Sequence, residues 1–376
     1  MAALRIYNMS RKEGWRRFVD DPKREKPETL TAEQYRSLGE DARDDYNELR
    51  KDWHANLPFI KTPQVKKVWD SLELIVDGNR QDPARVRGAA VIDSLAQLGK
   101  TTVANTFARD FERRQRRRHG ETTAEGHQRL SVLRVGLDAA MTQRALNARI
   151  CQFYGHPGEK GASAARLGDF AIDCVLSCET QLGIIDDIHF LNLKRKNGIE
   201  VSNYLKWMAN EMSMTFIFTG IGLAERRMFD EGLAGDEAIL AQTSRRWTRL
   251  ELPPFQIANN QGRQAWKSLL NQVEEKLVLI NATPGMLTEM SDYLFARSTG
   301  YIGSLMYLIT RGCLKAINTR HERLDPGLLD QCDADSGAER SQGDLQAAFA
   351  AGTLTTTPIR RPAARAKKAP AALLEA

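Results

Sequence analysis

Short apolar runs alternate with amphipathic stretches between residues 57 and 256. Five of the runs are candidate strands: Gly88–Asp93, Ser131–Leu137, Leu182–Asp187, Met214–Gly220 and Arg249–Pro254. Strands that alternate with helical segments pair in parallel, with helices packed on the faces of the sheet. The pattern therefore predicts an α/β domain over residues 57–256, with a parallel five-stranded sheet flanked by helices.

The pattern changes on both sides of this region. Residues 1–56 are polar and rich in charge, and only the stretch around Ala32–Trp53 shows helical spacing, which predicts a polar helical N-terminal arm. Apolar residues take helical spacing throughout residues 257–324, which predicts a small all-α lid. Residues 325–376 are polar and then basic, with many Ala and Pro residues, and we expect a flexible C-terminal tail.

A Gly-Lys-Thr-Thr sequence follows the first candidate strand and opens a helical stretch. In a P-loop, backbone N–H groups at a helix N-terminus wrap the phosphates, a lysine reaches the β- and γ-phosphates, and a hydroxyl holds Mg²⁺. Ser94 stands where the pattern has its first glycine, which is tolerable if that residue need not adopt positive φ. The candidate ATP-binding residues are Ser94, Leu98, Gly99, Lys100, Thr101 and Thr102. Taken alone, the match could also be a strand and helix with a coincidental Gly-Lys-Thr.

Two later strands supply polar residues that fit the same site. Asp186 and Asp187 end one apolar strand, so Asp186 is predicted to hold Mg²⁺ together with Thr101, and Asp187 to face the attacking water. Thr219 ends the next strand, where it can contact the water or the γ-phosphate. The alternative for the acid pair is a simple Asp-Asp turn after a core strand. The order of these elements after the P-loop favours the nucleotide site.

Arg245 and Arg246 precede the last candidate strand. An arginine there could stabilise the charge that develops on the transferring phosphoryl group of a neighbouring subunit. Without the other motifs, the pair would be interpreted as ordinary surface arginines.

The composition and charge of the chain indicate where the protein acts and what kind of partner it binds. No apolar run approaches the ~20 residues of a transmembrane helix, so we expect no membrane association and a cytoplasmic protein. The formal net charge is +6, and basic residues cluster at Arg113–Arg118 and Ile359–Pro370. Such clusters are typical of proteins that bind polyanions, although a solvated helix end and a solubilising tail would look the same.

The ordered set of motifs resembles the AAA+ ATPases of the TniB/TnsC type, ATP-dependent regulators of DNA transposition. The similarity spans roughly residues 57–319 and rests on these segments: Leu57–Pro63, Gly99–Thr102, Leu137–Pro157, Ile184–Leu191, Asn203–Met212, Phe218–Ala224, Ser244–Trp247 and Ser298–Ile317. The resemblance implies an AAA+ P-loop fold with ATP and Mg²⁺ as cofactors. It also implies a homo-oligomer, as a ring or helical filament, on double-stranded DNA.

By the same resemblance, the protein would mark target DNA and recruit or activate a separate DDE transposase, with a TniQ-like target-selection protein as a further partner. Arg246 matches the arginine-finger position, and Thr219 matches the first sensor. Polar stretches beside the acid-bearing strand supply candidates for phosphate contacts with DNA: Lys160, Arg166, Lys194, Arg195 and Lys196.

The chain departs from the family pattern at three places. Ser94 replaces the first P-loop glycine, Asp187 stands where the family usually has glutamate, and Gly300–Ser304 lacks the second-sensor arginine of many AAA+ lids. These departures are compatible with nucleotide binding and predict slow hydrolysis. The alternatives are an IstB-like or helicase-loader AAA+ protein, and a weakly hydrolysing nucleotide-gated scaffold or defence/signalling P-loop protein.

Overall fold

The computed structural model describes residues 7–82, 85, 87–139, 141–159, 161–190, 196–223, 247–333 and 336–358. The chain divides into two compact units. The α/β unit contains Met1–Pro27, Pro58–Pro254 and Tyr301–Gly303, and the helical unit contains Glu28–Leu57, Phe255–Gly300 and Ser304–Ala376. Within the described part of the chain, no helix is both long and apolar enough to cross a membrane.

The α/β unit is built on one parallel sheet. Its strands are β1 (Ala89–Asp93), β2 (Val132–Gly136), β3 (Leu182–Asp186), β4 (Thr215–Gly220) and β5 (Trp247–Glu251), in the spatial order β2-β3-β4-β1-β5. Its described helices are α1 (Lys12–Asp20), α4 (Pro63–Gly78), α5 (Lys100–His119), α6 (Gln143–Tyr154), α7 (Ala164–Ser177) and α8 (Lys196–Glu211). The predicted five-stranded parallel sheet with flanking helices is confirmed.

The burial of the strands follows their position in the sheet. Every residue of β1, β3 and β4 is buried, whereas the edge strand β5 has only two buried residues, Trp247 and Leu250. Central strands of a parallel sheet are covered by helices on both faces, which explains their uninterrupted apolar sequences. The pairing of Ile92 with Thr219 and of Gly136 with Asp186 brings the carboxyl ends of four strands to one edge. The sequence motifs that follow β1, β3 and β4 therefore meet there.

Helix α1, near the start of the chain, packs within the α/β unit. Trp15 and Val19 of α1 are fully buried in its core. The backbone carbonyl of Val19 accepts a hydrogen bond of 2.6 Å from Arg113 Nε, and Arg116 Nη2 lies 2.5 Å from Asp20 Oδ1. The observed division thus differs from the predicted N-terminal arm, because two buried apolar side chains attach this segment to the sheet unit.

The second half of the predicted arm belongs to the helical unit. This unit contains α2 (Ala32–Ser37), α3 (Glu40–Ala55), α9 (Asn260–Glu274), α10 (Met286–Glu289), α11 (Ser291–Ser298), α13 (Pro326–Leu329), α14 (Ser336–Ala350) and, from Ser304 onward, α12 (Ile302–Asn318). The indole N–H of Trp53 donates to the Lys276 carbonyl at 2.7 Å, and His54 Nε2 accepts from the Val278 N–H at 3.1 Å. These long-range bonds join α3 to the chain that follows α9.

Part of the predicted C-terminal tail is also ordered against this unit. Helix α14 lies within residues 325–376, and Thr356 is buried, where its backbone N–H donates to Asp292 Oδ1 at 2.8 Å. The basic stretch Ile359–Pro370 lies outside the described residues.

Candidate nucleotide site

The loop between β1 and α5 contains two residues in the left-handed backbone region. Gly99 has a φ of +84° immediately before the first residue of α5, and Gln97 has a φ of +61°. Ser94 is not among the residues with positive φ, so a side chain at this position causes no backbone strain. The substitution of the first glycine is therefore compatible with the turn.

Lys100 begins α5 and is buried beside this loop. Its ammonium donates to the Leu95 carbonyl at 2.9 Å. Burial lowers the pKa of Lys100, while the carboxylates of Asp187, Asp186 and Asp93 act in the opposite direction. A buried ammonium at a helix N-terminus is suited to phosphate oxygens, which would supply the negative charge that this position favours.

Asp186 lies at the centre of a polar cluster. Its Oδ1 accepts a hydrogen bond of 3.0 Å from the hydroxyl of Thr101 and another from the hydroxyl of Thr219. Its Oδ2 lies 2.9 Å from Nη2 of Arg134. The structure thus brings Thr101, Asp186 and Thr219 together, as the sequence predicts for a P-loop site.

The residues present fit a hydrated Mg²⁺ ion bound together with a nucleotide. Thr101 and Asp186 offer hard oxygen atoms. The described residues contain no group of three or more His, Cys, Asp or Glu side chains that could enclose a metal on their own. Mg²⁺ usually takes one or two protein oxygens and completes its shell with water and substrate phosphates. This donor set is therefore appropriate for a metal that arrives with ATP.

Asp187 has an unusual backbone conformation for its position. Its φ is +61°, a left-handed value that Asp tolerates better than most residues, and its backbone N–H donates to Thr219 Oγ1 at 3.4 Å. The side chain is 45% exposed, and its Oδ1 lies 3.7 Å from Nδ1 of His189. The turn thus directs Asp186 into the cluster and leaves Asp187 accessible to solvent.

Thr219 connects the two acids. It is fully buried, donates to Asp186 and accepts from the backbone of Asp187. Its hydroxyl is therefore engaged with protein atoms in this structure, and contact with a water or a γ-phosphate stays a prediction. Leu98 is buried within the loop, and Thr102 is exposed on the first turn of α5.

Sequence reasoning missed two polar partners of this site. Arg134, in the middle of strand β2, reaches Asp186, and its Nε donates to Asn105 Oδ1 at 3.1 Å. Asp93, the last residue of β1, accepts from the Leu223 N–H and from Arg249 Nε, both at 3.0 Å. An arginine inside an otherwise apolar strand was the available signal for the first of these partners.

The predicted DNA contacts are only partly described. Arg166 is exposed in α7, with its guanidinium 5.6 Å from the ring centroid of Phe170, and Lys196 is the first residue of α8. Lys160, Lys194 and Arg195 lie outside the described residues, as do Arg245 and Arg246.

Several arginines of the basic cluster in α5 make hydrogen bonds or ion pairs with other residues of the α/β unit. Arg113 and Arg116 hold the segment of α1, and Arg114 lies 2.7 Å from Glu73. Arg117 and Arg118 are exposed. Three of its arginines therefore make intramolecular contacts, and binding of a polyanion by this cluster stays a prediction.

Comparison with known proteins gives one family match. The model of the family described as "Bacterial TniB protein" matches residues 50–257. No curated protein matches the sequence.

Solved structures with a similar fold include three archaeal proteins. The Aeropyrum pernix ORC1 protein in complex with DNA is 14% identical, with a TM-score of 0.53 over 81% of this chain and 72% of that chain. The Aeropyrum pernix ORC2 protein is 15% identical, with a TM-score of 0.53 over 75% and 72%. Cdc6p from Pyrobaculum aerophilum is 11% identical, with a TM-score of 0.51 over 74% and 69%. At these identities the similarity shows the fold alone, and the AAA+ P-loop fold predicted from the motifs is confirmed.

Proposed function

The chain belongs to the TniB family, and from that premise we propose that it is an ATP-dependent assembly ATPase that binds DNA and regulates transposition. It marks target DNA and recruits or activates a separate DDE transposase, with a TniQ-like target-selection protein as a further partner. The protein carries no strand-transfer chemistry of its own. Its energy source is the binding and slow hydrolysis of ATP.

The observation that supports this proposal best is the cluster at the carboxyl edge of the sheet. Thr101 and Asp186, 85 residues apart in sequence, share a hydrogen bond of 3.0 Å beside Lys100 at the N-terminus of α5. A hydroxyl, a carboxylate and an ammonium at a helix N-terminus are the groups that bind a nucleoside triphosphate and its metal. Coincidental packing of a core strand would not require all three.

The proposed roles follow from these positions. Lys100 binds the β- and γ-phosphates, Thr101 and Asp186 hold Mg²⁺, and Thr219 fixes the acid pair. The metal would supply positive charge against the phosphate oxygens during transfer. Asp187, half-exposed at the end of β3, orients the attacking water. Because its side chain is one methylene shorter than glutamate, we expect slow turnover.

Assembly would complete the site. Arg246 is proposed to act in the site of a neighbouring subunit, so that a ring or filament on double-stranded DNA is the hydrolysing form. Contacts with DNA would be made mainly to phosphates, through Lys160, Arg166, Lys194, Arg195 and Lys196. Binding of this kind weakens steeply with salt and depends little on base sequence.

The proposal is tested by mixing the purified protein with duplex DNA of several sequences, with and without ATP, at increasing salt. We expect ATP-dependent rings or filaments in electron micrographs, and an affinity whose logarithm falls with the logarithm of salt by about 0.9 for each phosphate contacted. Lys100→Ala is the matched control, because it keeps the DNA-binding surface and should not assemble on its own. A shallow salt slope with strong sequence preference would contradict the proposed mode of DNA binding.

A weakly hydrolysing, nucleotide-gated scaffold is the second candidate, favoured by the short Asp187 side chain. In that case ATP would drive assembly without measurable turnover. Steady-state phosphate release with and without duplex DNA separates the two functions. DNA should stimulate phosphate release by an ATPase, whereas a scaffold should release no measurable phosphate under either condition.

A further inference from the structure

Arg134 forms an ion pair with the acid that is proposed to hold Mg²⁺. Its side chain extends from β2, next to β3 in the sheet, and Nη2 lies 2.9 Å from Asp186 Oδ2. The two side chains are only 13% and 7% exposed. An ion pair this well shielded from water is screened less than a surface pair, so its electrostatic effect on the carboxylate is substantial.

The position of Arg134 is fixed from a second side. Its Nε donates to Asn105 Oδ1 at 3.1 Å, and Asn105 lies on α5 one turn after Thr101. Hydrogen bonds at both Nε and Nη2 hold the planar guanidinium in one orientation. The arginine is thus placed between the P-loop helix and the acid-bearing strand by three different elements.

The two carboxylate oxygens of Asp186 have different partners. Oδ1 accepts from the neutral hydroxyls of Thr101 and Thr219, whereas Oδ2 faces the positive charge of Arg134. A divalent cation near this carboxylate would meet a charge that Arg134 already balances. Cations that share one carboxylate weaken each other's binding, and the effect is reciprocal.

We propose that Arg134 is the built-in counter-ion of Asp186, which orients this buried carboxylate before metal arrives and lowers the affinity of the site for Mg²⁺. This inference rests on the proposed nucleotide site and adds a regulator to it. The Arg134–Asp186 pair makes metal loading depend on nucleotide, because phosphate oxygens must add negative charge before Mg²⁺ binds tightly. Without the arginine, Asp186 would be a buried charge with only two hydroxyl partners.

The test measures the Mg²⁺ concentration that gives half-maximal binding of a fluorescent ATP analogue to the full chain. Arg134→Met should lower this concentration about tenfold, within the range usual for coupling between two binding events. Arg149→Met is the matched control. Arg149 lines the same cavity of about 270 Å³ as Arg134, but its partners are Asp138 and the Gly136 carbonyl, so its loss should leave the half-point unchanged.

If Arg134→Met leaves the half-maximal Mg²⁺ concentration unchanged or raises it, this inference is overturned while the proposed ATPase remains intact. The same holds if Arg149→Met lowers that concentration as much as Arg134→Met does. A wild-type protein that binds no analogue at any Mg²⁺ concentration would overturn the ATPase and this inference together.

A second measurement uses metal-free protein and needs no nucleotide. Arg134→Met should lower the urea midpoint in the wild-type background, and it should have little effect in an Asp186→Asn background, where the charge to be balanced is absent. Equal losses in both backgrounds would mean that Arg134 only packs, which would overturn its role as counter-ion. Arg134→Lys, which keeps the charge, should be milder than Arg134→Met.

Discussion

The helical unit contains a buried ion pair whose disruption should be costly. Arg50 of α3 is fully buried, and its two terminal nitrogens lie 2.6 and 2.9 Å from the carboxylate oxygens of Glu322. The same guanidinium lies over the rings of Tyr35 and Tyr46, 5.2 and 4.7 Å from their centroids. We predict that Glu322→Ala strongly destabilises this unit.

The magnitude follows from the burial of the charge that would remain. Removing one partner of a buried pair typically costs on the order of 3–5 kcal/mol, since the other charge stays in an apolar environment. Glu322 also accepts from the Ile280 N–H at 3.2 Å, so the truncation leaves a second donor unsatisfied. Replacing both residues, as in Arg50→Leu with Glu322→Leu, removes the charge itself and should destabilise less than Glu322→Ala alone.

The assay is urea unfolding of the full chain, followed by far-ultraviolet circular dichroism. Asp333→Ala is the control, because it removes the acid from a solvent-exposed pair in which Asp333 lies 3.7 Å from Arg311, and exposed pairs contribute little. A loss for Glu322→Ala no larger than that for Asp333→Ala would refute the reasoning. A double variant less stable than Glu322→Ala would do the same.

Three further predictions concern the α/β unit. Asp187→Asn should bind ATP, remain assembled and hydrolyse roughly a hundredfold more slowly in phosphate-release assays, while Asp187→Glu should match or exceed the wild type; an Asn variant with wild-type turnover would remove the proposed role. Burial raises the pKa of Glu112 to about 7, although the charge of Arg116 acts in the opposite direction. The protonated form of Glu112 therefore stabilises the folded state fully below the unfolded pKa of 4.5, and this contribution is lost as the pH rises through 7. Wild-type stability should therefore fall by up to about 3 kcal/mol between pH 4.5 and 8, and Glu112→Gln should show a smaller fall; parallel pH profiles in urea unfolding would contradict this. Arg246→Ala should bind ATP but lose most hydrolysis, and mixing it with Lys100→Ala should restore activity, with Arg245→Ala as the milder control; no recovery on mixing would exclude action between subunits.

The fold was predictable because its signals are local. The runs around Val91, Ile184 and Ile217 are apolar and continuous, and such sequences are suited to strands that are buried on both faces. The P-loop was predictable for a similar reason, since a helix N-terminus with Gly99 and Lys100 is encoded in adjacent residues. The meeting of Asp186 with Thr101 followed from the parallel topology.

What escaped prediction depends on pairs that are far apart in sequence. Arg50 is encoded within a highly charged stretch, and nothing near it indicates that Glu322 will neutralise it in the interior. Trp15 and Val19 are two apolar residues in a polar segment, too few to form a visible period, yet they attach α1 to the core. Arg134 forms its ion pair with Asp186, and nothing in the sequence around Arg134 indicates which acidic residue will be its partner. Such pairings are determined by packing and charge balance after the elements have assembled.

The central claim is that this chain binds Mg²⁺–ATP through the loop that ends at Gly99 and Lys100. Isothermal titration of the wild type and of Lys100→Ala with Mg²⁺–ATP tests it most directly, with circular dichroism to show that both are folded. We predict saturable binding to the wild type and no detectable binding to Lys100→Ala, because the buried ammonium offsets the phosphate charge at the start of α5. Equal affinity for the two proteins, or no binding to the wild type, would contradict the account.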